Sequence, residues 1–140
     1  MNIVSSEEVL KCFSECQKDS DEDVSHDQIE HVLASSWRFE NIDITKLRDP
    51  YSGFGREDQR VNFTERGLSV SKAVQEIRQS ENMYLNELLK QPLDNPPPIF
   101  VFIDKGNFYI WDGCKRTFSS YVQGIPTINA YIGEGTKNFV

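Results

Sequence analysis

The residues of this 140-residue chain best suited to chemistry lie in one stretch, Tyr109 to Gly124, YIWDGCKRTFSSYVQG. Three apolar residues run into Asp112, Gly113, Cys114, Lys115 and Arg116, and a helical pattern follows at once, with Phe118, Tyr121 and Val122 on one face. A helix start leaves backbone N–H groups unpaired and carries partial positive charge. Gly113 removes a side chain where a ligand would approach, and Lys115 and Arg116 add two cations. Cations at this end oppose the helix dipole, so helix stability does not explain them; a bound phosphate would. The competing reading is a hairpin exit capped by Asp112 with both cations in solvent. A thiol in this setting is expected to have a lowered pKa, which makes Cys114 a candidate nucleophile.

Several elements must position that turn. Ile99 to Ile103, IFVFI, is apolar on both faces, as a central strand is, and Asp104–Asn107 reads as a hairpin turn returning through FYIW. Gly124 fits the helix C-cap, and IPTINAYI reads as a final strand. Upstream, ENIDITKL reads as a short strand with Ile42, Ile44 and Leu47. RDPYSGFGREDQR reads as a loop carrying Arg48, Arg56 and Arg60, and SVSKAVQEIRQ and MYLNELLK read as helices stopped by QPLDNPPP.

Two further helices are expected at the front. Ser5 and Ser6 before Glu7 and Glu8 mark one start, followed by Val9, Leu10, Phe13 and Cys16. Ser25 with Gln28 forms a capping box for the second, with a stripe of Ile29, Val32, Leu33 and Trp37. The acidic segment KDSDEDVS joins them. These readings give an α+β chain, a small mixed sheet around a strand–turn–helix. They divide it into an acidic helical extension, residues 1–38, and a domain over residues 39–140.

The net charge of −7 sits mostly in that extension, where nine acids face three bases; the remainder has thirteen against twelve. Such acidity argues against general duplex binding, so nucleic acid is not an expected partner. The extension is expected to meet a protein partner. No apolar run reaches the roughly 20 residues of a membrane span, and no secretory signal pattern opens the chain, which suggests a cytoplasmic protein. Cys12, Cys16 and Cys114 are expected as free thiols. Cys12 and Cys16, with His26 and His31 at no recognised spacing, do not make a metal site.

Pro97-Pro98-Ile99, an apolar strand, a hairpin, an aromatic strand, Gly-Cys-x-Arg, a helix and Ile125-Pro126 before a last strand together resemble sulfiredoxin. They also resemble the wider ParB/sulfiredoxin superfamily, whose Asp-Gly-x-x-Arg signature Asp112–Arg116 satisfies. The close match spans about residues 95–132, and a looser one reaches back to NIDITKL. The resemblance implies a nucleotide site for ATP or CTP, with Mg2+ as a possible companion. Asp112, Gly113, Lys115 and Arg116 stand at the phosphate-binding positions, and Lys72 matches a phosphate-contacting lysine. It also implies NTPase or phosphotransferase activity, for which Glu40, Asp43 or Asp112 could act as base. A second implication is ATP-dependent repair of a sulfinic acid on peroxiredoxin, with Cys114 as the attacking thiol. Asp112 and Lys115 depart from the sulfiredoxin Gly-Gly-Cys-His-Arg motif, and a chromosome-partitioning ParB role, which goes with a helix-turn-helix region, is not expected. A different class of reading is a non-catalytic interaction or inhibitor protein that uses the acidic helices, even as a mimic of nucleic-acid charge.

Overall fold

The computed structural model describes residues 2–17 and 25–135. The acidic joining segment, apart from Ser25, lies outside the described residues. The chain begins with strand β1 (Asn2–Val4) and helices α1 (Ser6–Gln17) and α2 (His26–Ala34). Strand β2 (Ser36–Asp43) leads through a 3-10 turn, Ile44–Lys46, into β3 (Leu47–Asp49). Next come β4 (Gly53–Arg56), β5 (Gln59–Asn62), β6 (Leu68–Ser69), α3 (Val70–Gln79) and α4 (Met83–Leu89). The chain then forms β7 (Ile99–Asp104), β8 (Asn107–Asp112), α5 (Cys114–Val122) and β9 (Thr127–Glu134).

Seven strands make one mixed sheet in the order β1-β2-β9-β7-β8-β3-β6. The pairs β7–β9 and β3–β8 are parallel; the other pairs are antiparallel. Period-two alternation sorts the side chains between two cores. Ile99, Val101, Ile110, Ala130 and Ile132 face α3, α4 and α5 with Val74, Ile77, Leu85 and Phe118. Phe100, Phe102, Trp37 and Tyr131 face the other way, against Val9 and Phe13 of α1 and Val32 of α2. This double covering is why IFVFI is apolar at every position. The fold is therefore α+β in three layers, helices on both faces of the sheet.

The front helices form as their caps and stripes predict. Ser5 Oγ accepts from the Glu8 N–H at 3.2 Å, and the Ser25–Gln28 capping box is complete in both directions. Their stripes land on the sheet: Phe13 stacks on Trp111 at 4.4 Å between ring centroids and meets Phe100 edge-on at 5.2 Å. Residue 38 falls inside β2, and β1 pairs with β2 from Asn2↔Phe39 to Val4↔Trp37. Three local expectations change. Trp37 lies on β2, because α2 ends at Ala34 and Ser35 is already extended; its indole donates to the Val32 carbonyl at 2.9 Å. Leu33 is correspondingly exposed. The segment after Asp49 contains the β4–β5 hairpin, with Phe54 against Phe118 of α5 at 5.2 Å. No helix among the described residues is long and apolar enough to cross a membrane.

Candidate functional site

Strand β8 hands over to α5 through Gly113, whose φ of 112° is open to glycine and costly for other residues. A Cβ there would run into Ile99 Cγ2 and lie 2.9 Å from an Arg116 nitrogen. The glycine is thus required by packing against β7 as well as by its backbone, rather than by ligand approach alone. The Gly113 carbonyl accepts both the Thr117 N–H and the Thr117 hydroxyl, each at 2.9 Å, which starts the helix. No side chain caps α5. The other described helices are all capped, by Ser5, Ser25, Ser69 and Asn82.

Asp112 does not cap the helix; its Oδ2 takes an Arg116 nitrogen at 3.2 Å. Arg116 is consequently folded back, 19% exposed, and its Nε is buried without a partner. The thiol of Cys16, on α1, lies within hydrogen-bonding reach of the same guanidinium, so the first helix borders the turn. Lys115 is exposed. Lys72 stands apart from these contacts. It pairs loosely with Glu65 at 4.0 Å and lines an open depression of about 480 Å3 with Ser69, Ser71, Gln75, Arg78 and Tyr121. Through Tyr121 that depression reaches α5, about two turns beyond Gly113.

The electrostatics of Cys114 run opposite to the expectation. Burial pushes its thiol well above the usual range, and the Asp49 and Asp112 carboxylates push it further, outweighing Arg116. The reason is directional: the side chain packs on the apolar core beneath α5 instead of facing the open helix end. Cys16 is also raised, mainly by burial, with Arg116 pulling it back. The three cysteines are free thiols.

Of the carboxylates considered as bases, Glu40 and Asp43 sit on β2, separated from β8 by β9 and β7. Glu40 pairs with Arg38 Nε at 3.3 Å, and Asp43 accepts from the Thr45 N–H and hydroxyl, which hold its pKa down. Only Asp112 of that set is at the turn. The structure adds two residues from the segment expected as a loop, Asp49 and Tyr51. Asp49 is 1% exposed, its Oδ1 accepting the Tyr51 N–H at 2.8 Å and its Oδ2 buried without a partner. Burial lifts its carboxyl to about 6. The Tyr51 hydroxyl donates to the Trp111 carbonyl at 2.7 Å and is itself pushed above its usual range. An aspartate directly before proline, where a strand ends, was the available signal.

Together these groups offer free helix N–H groups, a guanidinium with an unmet donor, two carboxylates and a protonated thiol at one end of the sheet. No three metal-ligating side chains gather anywhere among the described residues. No family model matches the chain, and no curated protein does. Among solved structures, sulfiredoxin from Arabidopsis thaliana aligns at 22% identity with a TM-score of 0.36, covering 71% of this chain and 88% of its own.

Proposed function

We propose that this chain is a nucleotide-binding domain of the ParB/sulfiredoxin type that seats the phosphates of ATP or CTP on the Gly113–Arg116 turn. The observation that carries this reading is the start of α5. It lacks the side-chain cap present on the other described helices, and it holds a buried guanidinium whose Nε has no acceptor. Phosphate oxygens would satisfy both sets of donors, and the planar fork of arginine suits them. A phosphate must compete with Asp112 for Arg116, which limits affinity. The depression holding Lys72 and Arg78 adjoins α5 and supplies cations for the rest of an anionic ligand. Mg2+, if it takes part, would come with the nucleotide's own phosphates.

Calorimetric titration with ATP, CTP and their diphosphates tests the reading. Arg116→Ala is expected to weaken binding at least about tenfold, roughly 1.4 kcal/mol, with the thermal melt little changed. An absence of nucleotide affinity in the parent protein overturns it. A thiol-repair activity through Cys114 is disfavoured because burial and two carboxylates keep that thiol protonated. One observation favours an interaction role instead. The outer faces of α1 and α2 carry exposed Glu7, Glu8, Glu15, Asp27 and Glu30, a surface suited to a basic protein partner.

A further inference from the structure

Strands β3 and β8 run parallel, with Leu47 beside Phe108 and Arg48 beside Tyr109. Asp49 and Asp112 therefore leave the sheet at the carboxyl ends of neighbouring parallel strands, where ligands of open sheets bind. The 2.7 Å bond from Tyr51 to the Trp111 carbonyl ties the Asp49 turn to the strand that enters the phosphate turn. The Asp112 carboxylate is committed to Arg116, and Glu40 and Asp43 are engaged on β2. Asp49 alone of these four has a buried oxygen with nothing bound to it. A buried acceptor left open is costly unless a ligand or water meets it.

We infer that Asp49 is the proton acceptor of this site, taking the O–H proton of a water or alcohol that attacks the terminal phosphate of the bound nucleotide. The inference rests on the nucleotide reading above and adds a reaction to it. As the oxygen bonds to phosphorus, its proton passes to Asp49 Oδ2. The bond from phosphorus to the bridging oxygen breaks, its electron pair leaves on the nucleoside diphosphate, and the proton later departs to solvent. Arg116 steadies the charge on the transferring group. The groups facing Asp49 are Tyr51 beside it, Arg60 from β5 and Cys114 from α5. Burial raises its carboxyl to about 6, while the Tyr51 N–H and Arg60 pull it back, so it is an ionised yet effective base near neutrality.

The test measures diphosphate release from ATP and CTP, with water or added small alcohols as acceptors, across about pH 5 to 8. In the parent protein the rate should rise with pH through an inflection near 6 and then level. Asp49→Asn keeps an oxygen for the Tyr51 N–H. It should retain nucleotide binding by calorimetry, lose turnover by about a hundredfold or more, and unfold at higher denaturant concentration than the parent above neutrality. A residue that is merely structural would lose stability and activity together. Turnover that survives in Asp49→Asn, a parent profile flat across this range, or nucleotide binding without turnover each overturns the inference while leaving the binding reading intact. An absence of binding removes both.

Discussion

Asp49 opposes folding once it is ionised. Its carboxyl titrates near 6 in the fold and near 3.8 when unperturbed. Between those values the native chain holds a proton that the unfolded chain has released, so the stability contribution declines as pH rises through that window and then stays low. About two pKa units correspond to about 3 kcal/mol of penalty at neutral pH. Asp49→Asn removes the charge and leaves an amide NH2, with two N–H donors, to place. It should therefore be more stable than the parent by about 1–3 kcal/mol at pH 8 and nearly equal to it near pH 4. Urea unfolding of both proteins at the two pH values checks this, and equal differences at both would mean that Asp49 titrates normally. A gain in stability on removing this side chain, together with a loss of turnover, would fit a group kept at a cost to the fold.

At the scale of elements, the strand–turn–helix is built around one contact, Gly113 on Ile99. Gly113→Ala places a methyl group against Ile99 Cγ2 in a backbone conformation that alanine resists. It should cost about 3 kcal/mol, strain and overpacking together. Ile99→Ala in the same chain should recover part of the overpacking but none of the backbone cost, a coupling that a double-mutant cycle resolves. Much of this element was legible in the sequence. The run from Ile99 to Gly124 carries both periodicities, a two-residue turn with Lys105 and Gly106 at positive φ, and a glycine on either side of the helix. The capping box at Ser25 was equally plain. The β4–β5 hairpin was not, because Gly53 and Gly55, read as loop formers, serve close backbone approach to β5. The side chains of the site were least legible. Asp49 arriving from β3 depends on strand order, which no local pattern encodes, and Cys114 turning to the core depends on how α5 seats on the sheet; the Asp112–Arg116 pair, four residues apart, is local, but nothing in the sequence says that Asp112 takes Arg116 in place of capping the helix.

At the scale of the molecule, the first 38 residues supply the cover for one face of the sheet. Deleting them would remove β1, α1, α2 and the start of β2, and would bare Phe100, Phe102, Trp111 and Tyr131. We expect residues 39–140 alone to aggregate or to melt without a cooperative transition, making the chain one folding unit. Light scattering and a thermal melt of the truncated chain decide it. A soluble, cooperatively melting truncate that still binds nucleotide would establish the front helices as a separable module.

The position of β9 has a consequence for the timing of synthesis. It is the last strand among the described residues, yet it lies between β2 and β7, with Ser36 opposite Glu134 and Asp43 opposite Thr127. Strand β2 leaves the ribosome roughly ninety residues before the partner that joins it to the rest of the sheet. Until β9 arrives, β2 has only β1 paired beside it, and α1 and α2 can rest on Phe100, Phe102 and Trp111 of β7 and β8 but not on Tyr131 of β9. Nascent chains halted before Thr127 should therefore engage holding chaperones and yield readily to protease, while those carried past Glu134 should become resistant in one step.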